Sequence, residues 1–163
     1  MVNFTVYGEA VPKARARTVR TKTGQTVSYT PETTVAWENT IRGKAEQYRP
    51  GKLLDGPLFL WVNFYILKPK SKPKKVLYPD TKPDLDNLVK SVKDALQGVI
   101  YTNDSRIVGE FIRKDYNDPP RVEITIFEMH EVSLVLYGMG LHLSQAKSAA
   151  AEGNPPGLFS SGA

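Results

Sequence analysis

The feature that most restricts the fold is an apolar run at residues 58–67, with the sequence L-F-L-W-V-N-F-Y-I-L. Apolar side chains occupy both alternating sets of positions, which is typical of a strand whose two faces are covered. A chain of 163 residues is long enough for one domain that supplies this cover. The run therefore predicts a central strand in a sheet that is packed against helices.

Two segments with helical periodicity are candidates for that cover. The first is predicted to begin with Thr30 as its N-cap and Pro31 at the first helical position, and to stop at Pro50. The second is predicted to run from Asp84 to a stop at Gly98. The buried stripe expected on the first helix consists of Trp37, Ile41, Ala45 and Tyr48.

Shorter strands are expected at residues 2–7, 106–114 and 121–127. Together with the central strand and the two helices they give the order β-α-β-α-β-β. This order predicts an α/β (α+β) fold, with a small mixed sheet and two packed helices. The basic segments 11–24 and 68–75 are expected to be loops, and the second is too rich in proline for a helix and too charged for a core.

The composition changes after Met129, where glycine, proline, serine and alanine become frequent. We expect a domain at residues 1–129 and a C-terminal extension at 130–163, of which at least 144–163 is a mobile tail. No stretch of about 18 apolar residues predicts a membrane span, and the N-terminus lacks a signal-peptide pattern. The sequence thus indicates a cytoplasmic protein that does not associate with a membrane.

Charge is distributed unevenly along the chain. Residues 1–80 contain 14 Lys and Arg against 6 Asp and Glu, whereas residues 81–129 contain 7 against 9. A basic half beside an acidic segment favours a polyanionic partner held next to a group that needs carboxylates. A basic protein whose charge only maintains solubility is the alternative.

The acidic segment contains a dense cluster at Asp84 and Asp86, followed by Lys90. Two ordinary structural roles are open: Asp84 could cap the helix, and Asp86 could pair with Lys90 four residues later. Each role explains one aspartate and leaves the cluster unexplained. Two carboxylates so close together repel each other unless a cation lies between them.

Asp104 is a candidate third carboxylate. It can reach Asp84 only if the chain folds back along a helix about 18 Å long. Since there is no cysteine and both histidines lie in the C-terminal region, the set is rich in oxygen and suits Mg²⁺ or Mn²⁺. Such a site can promote phosphodiester cleavage, with Lys90 neutralising charge on the phosphoryl group.

The segment 84–90, D-L-D-N-L-V-K, with D-A-L at 94–96 and N-D at 103–104, resembles the RusA family of Holliday junction resolvases. The basic run at 8–17 and Y-T-P at 29–31 are similar to that family as well. The resemblance covers the whole predicted domain. It implies a homodimeric, Mg²⁺-dependent endodeoxyribonuclease that nicks two strands of a four-way junction in recombination and repair.

The resemblance also implies roles for particular residues. Asp84, Asp86 and Asp104 would be the catalytic carboxylates that bind the metal, and Lys90 the essential basic residue. One position departs from the pattern, because Asn103 stands where the family often has an aspartate. If residue 103 supplies a metal ligand, the site has one negative charge fewer and a lower affinity for the metal.

DNA contacts are expected from two basic segments. Lys13, Arg15 and Arg17 alternate and could reach phosphates from one side of an extended loop. The lysines that directly precede the acidic cluster are candidates for the same role: Lys68, Lys70, Lys72, Lys74 and Lys75. Two other functions stay open, namely a branched-DNA binding protein without cleavage activity and a nuclease acting on flaps or other branches.

Overall fold

The computed structural model describes residues 1–20 and 22–132, apart from the side chain of Arg17. Its strands are β1 (Val2–Tyr7), β2 (Arg17–Arg20), β3 (Thr26–Tyr29), β4 (Leu58–Ile66), β5 (Ile107–Tyr116) and β6 (Arg121–Glu128). Its helices are α1 (Glu32–Glu46), α2 (Leu85–Leu96) and a short 3₁₀ helix at Asp104–Arg106. The predicted order β-α-β-α-β-β is present, with β2 and β3 inserted between β1 and α1.

The predicted central strand lies inside the main sheet, whose order is β1-β6-β4-β5. β4 pairs antiparallel with β6 and parallel with β5, so the sheet is mixed, as predicted. The inward side chains of β4 are fully buried: Leu58, Leu60, Val62 and Phe64. They join one core with the apolar faces of α1 and α2.

The second face of the sheet is only partly covered, in contrast to the sequence prediction. Phe59, Trp61 and Tyr65 of β4 are half-buried. Trp61 packs against Phe111 with ring centroids 4.8 Å apart, and the Arg121 guanidinium lies 3.9 Å from the Tyr65 ring centroid. Aromatic and arginine side chains therefore shield this face from water, which explains why its positions are apolar without a helix above them.

The predicted start of α1 is wrong by one residue. Pro31 is the N-cap, with an extended ψ of 140°, so it lies outside the helix and its carbonyl accepts from the Thr34 and Val35 N–H groups. At the other end α1 stops at Glu46, which leaves Tyr48 beyond the helix. Tyr48 is exposed and stacks on Phe4 instead of continuing the buried stripe.

The segment predicted as a basic loop at 11–24 also contains β2, which pairs with β3 as an antiparallel ribbon. Val19 of β2 lies opposite Val27 of β3, and both side chains are exposed. The arginines and threonines of this ribbon give no alternation that would have marked a strand. The lysine-rich segment 68–75, by contrast, has no helix or strand and is confirmed as a loop.

Two residues just after the predicted boundary at residue 129 contact or pack against the domain. The N-terminal amino group of Met1 donates to Oε1 of Glu131 at 2.8 Å, and Val132 is buried. These contacts attach residues 131 and 132 to the edge of the sheet. The predictions for the remaining extension and its tail at 144–163 lie outside the described residues.

A segment at residues 8–13, here called the strap, crosses α2. The buried Oγ of Ser91 lies 3.0 Å from the Val11 carbonyl oxygen, and the Lys13 N–H donates to the Asn87 carbonyl at 2.8 Å. At its start, the Gly8 N–H donates to the Pro120 carbonyl at 3.0 Å. These bonds hold the first predicted DNA-contact residues against the N-terminal half of α2.

Ser91→Ala should destabilise the protein because it removes the buried hydroxyl that lies 3.0 Å from the Val11 carbonyl and 2.9 Å from the Leu88 carbonyl of its own helix. We expect the free energy of unfolding to fall by about 1–2 kcal/mol, measured by urea denaturation. Ser71→Ala, at an exposed loop position, is the matched control and should change stability little. Equal stability of the two variants would contradict attachment of the strap through Ser91.

Candidate metal and DNA-binding site

Asp84 occupies the N-cap position of α2 without capping the helix. Its backbone is extended, with φ −72° and ψ 143°, and its side chain makes no capping hydrogen bond. Its carbonyl oxygen accepts from the Leu88 N–H at 3.1 Å, so the helix begins normally. The exposed carboxylate is therefore not used to stabilise the helix end.

Asp86 does not pair with Lys90. The Lys90 ammonium lies instead 3.6 Å from Oδ1 of Asp94, four residues further along α2. Within residues 1–20 and 22–132, the carboxylates of Asp84 and Asp86 have neither a hydrogen-bond donor nor an ion-pair partner. Both ordinary structural explanations of this cluster are thus absent from the structure.

The chain that leads into Asp84 is held by Lys114 of β5. Its ammonium donates to the Thr81 carbonyl at 2.7 Å and to the Pro83 carbonyl at 2.9 Å. Because the Pro83 carbonyl belongs to the peptide bond that joins Asp84, these contacts orient the start of α2. Sequence reasoning missed Lys114, whose only signal is a lysine within a half-buried strand.

A cleft of about 470 Å³ lies between the strap and the start of α2. The strap contributes Ala10, Pro12 and Lys13. The α2 side contributes Lys82, Pro83, Asp84 and Asn87. A carboxylate and two lysines thus line the same open surface.

Lys13 bridges the two helices. Its Nζ atom lies 2.7 Å from Oε1 of Glu38 in α1 and 2.7 Å from Oδ2 of Asp94 in α2. Burial lowers the pKa of this ammonium, but the hydrogen bonds to Asp94 and Glu38 outweigh burial, so the pKa is raised above the ordinary lysine value. Its predicted phosphate contact stays a prediction, because the structure gives Lys13 a bridging role that the sequence did not reveal.

Arg15 and Arg17 follow the strap. The Arg15 side chain is exposed and has no ion-pair partner in the described part of the chain. Arg17 is the first residue of β2, and its side chain lies outside the described atoms. Arg15, just after the strap, is therefore left open to a ligand.

The lysines of the loop before α2 divide into two groups. Lys68 turns inward and donates to the carbonyls of Lys74 at 3.2 Å and Val76 at 2.7 Å. Lys72 pairs with Asp80 at 3.3 Å. The other three are exposed and have no such partners among the described residues: Lys70, Lys74 and Lys75.

Asp104 lies at the opposite end of α2 from Asp84. Its N–H donates to Oε1 of Gln97, just beyond the last helical residue, and α2 is about 18 Å long. Burial, followed by the charges of Asp104 and Asp94, raises the pKa of the Tyr101 phenol, which places these carboxylates near the same ring. In the described ranges no three metal-ligating side chains lie together, so one chain does not assemble the predicted triad.

Asn103 has a structural role. Its Oδ1 accepts from the Ser105 N–H at 2.9 Å and caps the 3₁₀ helix that begins at Asp104. An aspartate would accept the same bond, so the asparagine at this position is compatible with the turn. The side-chain amide oxygen of Asn103 is thus used as a hydrogen-bond acceptor within its own turn.

The fold and the site define a small α+β domain that sets free carboxylates between basic segments, a combination suited to a nucleic-acid partner. The chain matches the family described as endodeoxyribonuclease RusA over residues 8–127, and it belongs to that family. It is also 38% identical over 138 residues to YqaN of Bacillus subtilis strain 168, described as an uncharacterized protein. That match covers 78% of this chain and 96% of YqaN.

The description of this family is that of an endodeoxyribonuclease, an enzyme that cleaves DNA within its strands. The predicted family is thus confirmed over most of the predicted domain. Among the described residues, no helix has the length and apolar character needed to cross a membrane.

Lys114→Met should loosen the segment that enters Asp84, because both carbonyls lose their charged donor. We expect faster amide hydrogen exchange at residues 81–86 than in the unmodified protein, measured by mass spectrometry. Lys114→Arg keeps a charged donor and should restore much of the protection. Unchanged exchange in the methionine variant would show that Lys114 does not position Asp84.

Proposed function

We propose that the protein is an Mg²⁺-dependent endonuclease, also active with Mn²⁺, that nicks four-way DNA junctions as a homodimer. The observation that carries this proposal is the pair of carboxylates, Asp84 and Asp86, that have no partner among the described residues, with Asp84 lining a cleft that Lys13 and Lys82 also line. Membership in the RusA family supports the DNA substrate and the reaction.

The donor set fits Mg²⁺. Two exposed aspartates provide hard oxygen ligands, and Mg²⁺ is commonly held by one or two carboxylates together with water and substrate phosphate. When bound, the ion supplies the charge that activates water and stabilises the leaving oxygen. Asp84 and Asp86 would hold the ion, and Lys114 fixes the backbone that leads into Asp84.

Lys90 neutralises negative charge on the phosphate in this proposal. Its side chain is 57% exposed and its ion pair with Asp94 spans 3.6 Å. Such an exposed pair is weak, so a DNA phosphate can compete for the ammonium. Lys90 follows Asp86 by one turn of α2, on the same side of the helix.

The third carboxylate comes from a second chain. Asp104 cannot join Asp84 of its own chain, because α2 separates them by about 18 Å. In a two-fold dimer each half-site lies in an equivalent environment, so Asp104 of the partner subunit can complete the site. Two such sites would allow the paired cuts that junction resolution requires.

A branched-DNA binding protein without cleavage activity is the second candidate. The separation of Asp104 from the carboxylate pair favours it, since one chain alone lacks the full acidic set. A flap or branch nuclease is a third outcome of the same test.

Asp86→Asn should abolish metal-dependent nicking while leaving DNA binding nearly unchanged, because a ligand charge is lost without altering the basic surface. Labelled four-way junctions, flaps and duplexes incubated with Mg²⁺ or Mn²⁺ separate the three candidate functions. Glu32→Gln, at an exposed carboxylate in the first turn of α1, is the control and should retain full activity. Full activity of the Asp86 variant would contradict the metal site.

Mixing the inactive variants Asp86→Asn and Asp104→Asn tests the shared site. If each site combines residues of two chains, every mixed dimer contains one intact site and one doubly substituted site. With random exchange of subunits, nicking should recover to about a quarter of the unmodified level. No recovery, despite exchange shown by differently tagged subunits, would place all the aspartates of a site in one chain.

A further inference from the structure

Two large apolar side chains project from the loop that precedes the acidic cluster. Leu77 is 70% exposed and Tyr78 is 64% exposed, and they are consecutive residues. Neither side chain belongs to the core, and the last residue before this loop that packs against the core is Ile66 of β4. Exposure of adjacent leucine and tyrosine side chains leaves an apolar surface that a partner can cover.

The loop that carries them, residues 67–83, is braced by lysine. Lys68 donates to the carbonyls of Lys74 and Val76, immediately before Leu77. The Lys72–Asp80 ion pair connects the two sides of the loop around the apolar pair. Lys114 fixes the end of the loop through Thr81 and Pro83. These contacts hold Leu77 and Tyr78 outward on a defined support.

Charge identifies the kind of partner. Three lysines on the same loop are exposed and point to no carboxylate in the described structure: Lys70, Lys74 and Lys75. An apolar pair between positive side chains suits a ligand that combines negative charge with flat apolar faces. Nucleic acid combines phosphates with base faces on which tyrosine can stack.

The loop also places this pair close to the carboxylates. Tyr78 precedes Asp84 by six residues, so their Cα atoms can be at most about 20 Å apart even if the chain between them is fully extended.

Intact duplex DNA buries the faces of its bases in the stack, whereas a branch point can expose them. We propose that Leu77 and Tyr78 form a wedge that packs on an unstacked base at the branch point of DNA bound at the acidic cluster. This inference rests on the proposed function and adds the element that distinguishes branched from regular DNA.

Binding measurements without divalent metal test the wedge independently of cleavage. A four-way junction carries the fluorescent base 2-aminopurine at the branch point, and a duplex of the same length serves as the reference. Tyr78→Ala should bind the junction roughly 5- to 100-fold more weakly and lose the change in 2-aminopurine fluorescence, with duplex binding unaltered. Tyr78→Phe keeps a ring that can stack and should restore both readouts.

Tyr7→Ala is the matched control, because Tyr7 is a similarly exposed tyrosine, at 67%, on β1. It should bind the junction like the unmodified protein. Leu77→Ser should weaken junction binding in the same direction as Tyr78→Ala. Thermal unfolding of each variant verifies that the fold is retained.

Junction affinity and fluorescence of Tyr78→Ala equal to those of the unmodified protein would overturn the wedge. Conversion of dimers to monomers by Tyr78→Ala in sedimentation would overturn it as well and assign the pair to a contact between two copies of the chain. Failure of the unmodified protein to prefer the junction over duplex would refute the proposed function itself. If Tyr78→Ala still prefers the junction over duplex and still cleaves it, the wedge is refuted and the proposed nuclease function is not.

Discussion

Burial of the apolar stripe of α2 in the core that it shares with α1 and β4 is the constraint on which the rest of the site depends. Leu88, Val92 and Leu96 are fully buried, so the helix cannot rotate without exposing them. Asp86 and Lys90 are thereby held on the outer side, in reach of solvent and of a ligand. Lys13 then joins this helix to α1 through Asp94 and Glu38. The acidic cluster gains its position from packing, and its carboxylates stay free of internal partners.

Positive charge serves two purposes in this protein, and sequence does not separate them. Lys68 and Lys114 donate to carbonyl oxygens of the loop before α2, whereas Lys70 and Lys75 project from the same region into solvent. A lysine that satisfies backbone carbonyls reduces the freedom of the loop and leaves less charge for DNA. The basic half of the chain therefore presents a smaller binding surface than its charge count suggests, on a more rigid support.

The elements with strong periodicity could be predicted from sequence, and the contacts between distant segments could not. β4 and α2 follow from apolar positions alone, because burial determines both. The ribbon of β2 and β3 escaped prediction because its stability depends on cross-strand pairing of Val19 with Val27. The family motif that contains Asp84 and Asp86 lies in one contiguous segment, residues 84–90, and was therefore visible in the sequence. The supporting role of Lys114 depends on a contact across 31 residues, which no local pattern encodes.

On the proposed function, the electrostatics of α2 link metal binding to assembly. The N-terminus of a helix carries partial positive charge, which stabilises Asp84 and Asp86 but opposes a cation held between them. Two carboxylates alone would therefore hold Mg²⁺ weakly, and the site would need further negative charge. Either Asp104 of the partner subunit or a DNA phosphate can provide it. By linkage, each of these additions strengthens binding of the metal, and the metal strengthens each of them in return. Weak metal binding by an isolated subunit would then confine cleavage to DNA that two subunits hold together.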